Sequence, residues 1–182
     1  MKKPLVINFF GGAGLGKSTV AAYVFSQLKI RGVSCELISE FAKDLTWEKN
    51  KVALECQEYV FGNQSFKMEK CRNEVDVLIT DCPLILGYIY NKNPLLNDNF
   101  KEVVLSKFNS YENINYVINR TINYDSTGRN QNYLEAIDYD TKILNFLTAE
   151  NISYLIIEHD NKEYDKIVSN IVQRLNNKKL TF

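Results

Sequence analysis

The chain has 182 residues, enough for one domain built around a substantial core. Its 45% hydrophobic and 24% charged residues are the balance of an ordinary globular protein, and no apolar stretch approaches the length needed to span a bilayer. Lys+Arg and Asp+Glu number 22 each, and the resulting zero net charge argues against a non-specific nucleic-acid binder while leaving room for a local basic patch.

The cysteines Cys35, Cys56, Cys71 and Cys82 form no C-x-x-C pair, so neither a zinc site nor a disulfide framework is indicated, and reduced thiols are expected. The charged start Met1-Lys2-Lys3 runs through Pro4 into an apolar segment interrupted by Asn8, which reads as a first strand and not a signal peptide. A cytoplasmic location is the expectation.

In chain order, the apolar run Leu5 to Phe10 is the first strand. It leads directly into Gly11-Gly12-Ala13-Gly14-Leu15-Gly16-Lys17-Ser18-Thr19, a complete G-x-x-x-x-G-K-[ST] pattern, and then into an amphipathic helix, Lys17 to Ile30. The glycines let the backbone curl with its N–H groups inward, and the helix adds its positive dipole end, which together form an anion nest for phosphates. Gly12, Ala13, Gly14, Leu15, Gly16, Lys17, Ser18 and Thr19 are therefore the candidate nucleotide-binding residues. Lys17 would reach the β and γ phosphates of ATP, and the Ser18 hydroxyl would hold Mg²⁺.

A second strand, Cys35 to Ser39, ends at Glu40 and is followed by a helix, Phe41 to Trp47. A carboxylate at that strand end would face the γ phosphate from the acceptor side and take a proton from an attacking hydroxyl. The alternative is a helix N-terminal carboxylate stabilised by the dipole. A long helix is expected from about Val52 to Asn73, carrying Gln57, Gln64 and Glu69 among Tyr59, Phe61 and Phe66. Such a set clamps a base or simply packs the helix, and Gln64 is the better amide candidate because Gly62-Asn63 is expected to open the helix locally.

The third strand, Val75 to Thr80, ends at Asp81, placed to hold Mg²⁺ at the carboxyl end of a parallel strand or, alternatively, to cap the helix entered at Pro83. A helix at Leu84 to Tyr90, an Asn- and Pro-bearing loop from Asn91 to Asn99 and a helix at Phe100 to Phe108 follow. The fourth strand, Ile114 to Asn119, opens into a polar segment, about 120–132, with Arg120 at the strand end and Arg129 within it. Guanidinium groups brought over a transferring phosphate neutralise developing charge, the work of a kinase lid; the alternative is a pair of solvated loop charges. A helix at Tyr133 to Ala149, a fifth strand at Tyr154 to Glu158 and a helix at Tyr164 to Leu175 complete the pattern, with residues from Asn176 onward read as a frayed basic tail. His159, the single histidine, has no nucleophile or metal partner nearby in sequence and receives no catalytic role.

Strands alternating with helices predict an α/β protein, a three-layer sandwich around a five-stranded parallel sheet, in one domain over residues 1–182. With these residues in place the chain resembles the small P-loop NTPases of the nucleoside and nucleotide kinase type. More narrowly, it resembles the ATPase/kinase-like proteins common in bacteriophage genomes and related to the ribosylnicotinamide kinase domain. The likeness covers nearly the whole chain and rests on Gly11 to Thr19, Ser39-Glu40-Phe41-Ala42-Lys43, Gly62-Asn63-Gln64 with Glu69, Ile79-Thr80-Asp81-Cys82-Pro83-Leu84, and Gly128-Arg129-Asn130-Gln131 with Glu135-Ala136. It implies the sheet order 2-3-1-4-5, ATP and Mg²⁺ at the glycine-rich loop, an arginine-bearing lid, an acceptor hydroxyl oriented by Glu40, and acceptor contacts at Phe41 and Gln64. Where related motifs carry Arg two or three residues after that Glu, this chain has Lys43. The likeness implies a hydroxyl acceptor among nucleosides, nucleotides and related small molecules, with hydroxymethylated bases in DNA as an alternative. A nucleotide-controlled binding module without an acceptor is the reading from another class.

Overall fold

In the computed structural model, which describes residues 3–96, 98–121 and 130–179, five parallel strands form one sheet in the order β2-β3-β1-β4-β5. The strands are β1 (Leu5–Phe10), β2 (Cys35–Ile38), β3 (Val77–Thr80), β4 (Glu112–Ile118) and β5 (Leu155–Ile157). The helices are α1 (Lys17–Ile30), α2 (Phe41–Trp47), α3 (Lys51–Glu55), α4 (Gln57–Cys71), α5 (Leu86–Ile89), α6 (Asp98–Asn109), α7 (Tyr133–Ala149) and α8 (Asn161–Lys179), with a 3-10 turn at Pro94–Leu96.

The central strand shows why the run Leu5 to Phe10 is apolar throughout: both faces of a parallel sheet are covered. Leu5, Ile7 and Phe9 point to one face, where Val20, Ala21, Val24 and Leu28 of α1 meet Tyr164, Ile167, Val168 and Ile171 of α8. Val6 and Phe10 point to the other, packing with Phe61 and Met68 of α4, Phe100, Val104 and Phe108 of α6, and Ile143 and Leu147 of α7. Two cores on opposite faces make the three layers. Asn8, on the second face, is 1% exposed and donates to Asn113 (2.9 Å) and Asn115 (3.0 Å), so its polarity is satisfied across the β1–β4 ladder.

The expected single helix from Val52 to Asn73 is two helices. The chain turns at Cys56 (φ −82°, ψ 86°), where the Gln57 amide donates to Leu54 O at 2.8 Å in place of a continued helical bond. Gly62 and Asn63, expected to open the helix, lie within an unbroken α4. Residues 176–179, expected to fray, continue α8, whose last turns reach back to β4 through ion pairs from Arg174 and Lys178 to Glu112. No helix of the described residues is long and apolar enough to cross a membrane.

The chain leaves β1 toward β2 and leaves β4 toward β5, so the crevice between outgoing connections opens at the carboxyl ends of β1 and its neighbours. In sheets of this kind ligands gather at that crevice.

Candidate active site

The loop between β1 and α1 sits at that crevice. Gly16 is the N-cap of α1 with φ 71°, a left-handed conformation that favours glycine, and Gly14 is left-handed as well at φ 81°. Helix α1 begins at Lys17 with no side-chain cap, so the N–H groups of Lys17, Ser18 and Thr19 belong to the first turn, where no helical acceptor exists. Together with the positive end of the helix they form an anion site.

Lys17 folds back over its own loop, its ammonium donating to Gly12 O at 2.6 Å. Burial holds its pKa below the ordinary lysine range, against the opposing pull of Glu40, Asp81, Cys82 and Asp140. At the tip of β3, Asp81 is 6% exposed and accepts from the Ser18 hydroxyl at 2.6 Å through Oδ2. Its Oδ1 is buried with no hydrogen-bond partner among the described residues. An orphaned carboxylate oxygen beside a hydroxyl is a hard-oxygen pair of the kind Mg²⁺ prefers, completed by phosphate oxygens and water. Among the described residues no group of three or more His, Cys, Asp or Glu side chains is placed to hold a metal. The alternative helix-capping role of Asp81 is excluded, because α5 begins at Leu86 with Ile85 at its N-cap.

Glu40 occupies the N-cap position of α2 without a side-chain cap bond. The first N–H of α2, Phe41 N, is instead taken by Gln64 Oε1 at 2.9 Å. That division leaves the Glu40 carboxylate in the cleft beside Lys17, where burial raises its pKa, Lys17 draws it back and Asp81 adds to the rise. Next to Asp81, the buried Cys82 thiol is pushed well above its ordinary value by burial and by the Glu40 and Asp81 charges.

A cleft of about 1030 Å³ runs from the loop toward α2, α3, α4 and α5. Its walls include Glu40, Lys43, Gln57, Phe61, Gln64 and Tyr90. Gln64 is 2% exposed, and its Nε2 lacks a partner among the described residues while its oxygen holds Phe41 N, so the amide presents a donor. Asn130 donates to Thr46 at 2.5 Å, joining the segment before α7 to α2 across the cleft. Phe41 does not line the cleft: its ring packs edge-on against Tyr59 at 5.6 Å and only its backbone faces Gln64. Glu69 also lies away, bound to Arg72 (3.0 Å) and Lys107 (2.5 Å), where it ties α4 to α6. Phe66 is 62% exposed, so the aromatic set around Gln64 does not close as a clamp.

Arg120 is no solvated loop charge. Its Nε donates to Asp140 of α7 at 2.6 Å, and both terminal nitrogens donate to Ala13 O at 3.1 Å. It therefore grips the loop from the α7 side. Arg129 and the rest of residues 122–129 lie outside the described residues.

Three residues also meet the loop, of which Asp140 went unread in the sequence, while Gln131 and His159 were named there without this role. Asp140 Oδ1 accepts from Gly12 N at 2.6 Å, Gln131 accepts from Ala13 N at 3.4 Å, and the His159 ring lies where a side chain on Gly16 would stand. Asp140 had a readable signal: in helical register it falls between the buried Ala136 and Ile143, an acid bordering the apolar stripe of α7. No protein-family model matches the chain, and no curated protein matches it.

Proposed function

We propose that the chain is a P-loop kinase of the nucleoside and nucleotide kinase type, a Mg-ATP-dependent phosphotransferase. It moves the γ phosphate of ATP to a hydroxyl of a nucleoside, nucleotide or related small molecule. The observation that carries this reading is the convergence of Lys17, Ser18 and Glu40 on one cleft, with Asp81 behind Ser18 and bonded to its hydroxyl. A site built only to retain a nucleotide has no need of a carboxylate on the far side of the phosphates.

In this reading the N–H groups of the loop and of the first turn of α1 receive the phosphates, and the Lys17 ammonium exchanges Gly12 O for phosphate oxygen. Ser18 Oγ and Asp81 supply the protein oxygens of the magnesium site. When bound there, a magnesium ion would supply neutralisation of phosphate charge. Glu40 orients the acceptor hydroxyl and accepts its proton, Arg129 is the cation assigned to the transferring group, and Arg120, expected to share that work, instead holds the loop through Ala13 O and Asp140. The Asn130–Thr46 bond across the cleft favours a small acceptor over a base carried in a DNA strand.

The experiment is an acceptor screen. Purified protein, ATP and Mg²⁺ are incubated with nucleosides, nucleotides and hydroxymethylated DNA, and products are read by mass spectrometry. A phosphorylated small molecule is the expected result. Phosphorylated DNA would move the acceptor class, and ATP hydrolysis with no phosphorylated acceptor would favour a nucleotide-controlled switch.

A further inference from the structure

We propose that Asp140 is a positioning residue that holds the start of the glycine-rich loop and the Arg120 guanidinium as one unit, so that the loop is ready for phosphates before they arrive. This role rests on the nucleotide-binding reading of the loop and adds a residue far from it in sequence.

Asp140 stands at the edge of the buried stripe of α7, four residues after Ala136 and three before Ile143, with its own side chain half-buried at 22% exposed. A charged group there is costly unless it is paired. Each of its two oxygens has a separate partner, Oδ1 accepting from Gly12 N at 2.6 Å and Oδ2 from Arg120 Nε at 2.6 Å. Among the described residues it has no other hydrogen-bond partner, so its pairing serves the loop and Arg120 and no other part of α7. Arg120 closes the circuit by donating from both terminal nitrogens to Ala13 O. The consecutive residues Gly12 and Ala13 are thus held, one by its N–H and the other by its carbonyl, by a single ion pair.

The arrangement has three consequences for an anion-binding loop. A carboxylate near a triphosphate would repel it, and the Arg120 partner cancels that charge. The Gly12 N–H, which would otherwise compete for an acceptor, is committed at the back of the loop, so phosphate meets the donors further along. Arg120 is also fixed by Asp140 in the geometry that puts its fork on Ala13 O, with two of its five N–H groups uncommitted among the described residues. The approach is close enough that a Cβ on Gly12 would stand 2.3 Å from Ala136 O and 3.0 Å from Asp140 Oδ1, so the bare glycine is part of the same device.

The test is isothermal titration with ATP and Mg²⁺, alongside steady-state kinetics, on wild type, Asp140→Ala, Asp140→Asn, Arg120→Ala and the Asp140→Ala/Arg120→Ala double variant. Asp140→Ala is expected to weaken ATP binding about ten-fold or more, the size of a lost charge-assisted hydrogen bond. Its KM for ATP should rise by more than kcat falls. Asp140→Asn, isosteric and able to accept from Gly12 N without the charge for Arg120, should fall between. The Asp140→Ala effect should shrink in the Arg120→Ala background, because the pair acts as a unit. Asp138→Ala, an exposed partner of Lys142 on the same helix, should leave ATP affinity unchanged. Wild type that binds ATP, with unchanged or tighter binding in both Asp140 variants, would overturn the assignment and leave the nucleotide reading standing. Wild type that binds no ATP would overturn both. A change in melting temperature alone, with affinity unmoved well below the melt, would reduce Asp140 to a structural role and also overturn it.

Discussion

Replacing Gly12 by Ala puts a methyl group where the structure has a helix. The added Cβ would lie 2.3 Å from the Ala136 carbonyl oxygen and 3.2 Å from its carbon, about 1 Å inside ordinary contact. Gly12 is not in the left-handed region, so backbone strain contributes nothing and the effect is steric. The obstacle is backbone in α7, and α7 is anchored by Ala136, Ile143 and Leu147, each fully buried. Either α7 moves off its core or the loop retreats and stretches the Gly12–Asp140 bond. Overpacking costs about 1–3 kcal/mol and a lost bond to a charged group about 1.5–3 kcal/mol, and because a retreating loop trades the clash for the bond, a net of about 3 kcal/mol is expected. At about 2–4 °C per kcal/mol for a chain of this size, Tm should fall by about 6–12 °C. Thermal unfolding followed by circular dichroism, with urea unfolding as a second measure, reads this directly. A Tm within about 2 °C of wild type would refute both the steric clash and the docking of α7 on the loop, given the sensitivity above.

Gly62 is the opposite case, since an added Cβ there meets nothing within 4 Å in the interior of α4: Gly62→Ala should stabilise by about 1 kcal/mol in urea unfolding. Arg72 is 4% exposed, pairs with Glu69, donates to Ser110 and lies 4.0 Å from the Tyr111 ring centroid. Arg72→Ala should therefore cost about 2 kcal/mol or more in the same assay, whereas Lys166→Ala, in an exposed pair with Glu163, should leave the urea midpoint unchanged. The pH profile of kcat/KM has a predicted sign. Burial raises Glu40, so activity should fall as pH drops through a value above the ordinary Glu pKa of about 4.3, because the carboxylate that accepts the proton is lost. Burial lowers Lys17, so the alkaline limb should lie below the ordinary lysine value of about 10.4. Glu40→Gln should lower kcat and erase the acid limb; an acid limb unchanged in that variant would assign it to another group.

The α/β architecture was legible because its causes are local. Both faces of β1 are covered, so Leu5 to Phe10 reads as one apolar run, and the glycine-rich loop must follow it for the N-terminus of α1 to face the crevice. The sheet order came with the family likeness, and the hydrogen-bonded order agrees with it. The break at Cys56 was not legible, since neither Gly nor Pro marks it and it depends on the Gln57 amide turning back to Leu54 O. At the site, Lys17, Ser18, Glu40 and Asp81 were readable because each ends a strand or belongs to the loop motif. Phe41 was misplaced for a geometric reason: the start of α2 turns its ring toward Tyr59 while its backbone faces Gln64. Arg120 was found but its setting was not, because its partner Asp140 lies 20 residues further along the chain and is brought to the loop only by the return of α7.

Kinase activity is tested most directly by phosphoryl transfer from ATP to the best acceptor of the screen, compared between wild type and Lys17→Ala. The Lys17 ammonium donates to its own loop through Gly12 O, so the variant should keep its circular dichroism spectrum and cooperative melt. Transfer is expected to fall by about a thousand-fold or more, the scale on which cationic stabilisation of a transferring phosphoryl group acts. A folded Lys17→Ala protein that transfers phosphate at the wild-type rate would contradict the kinase assignment.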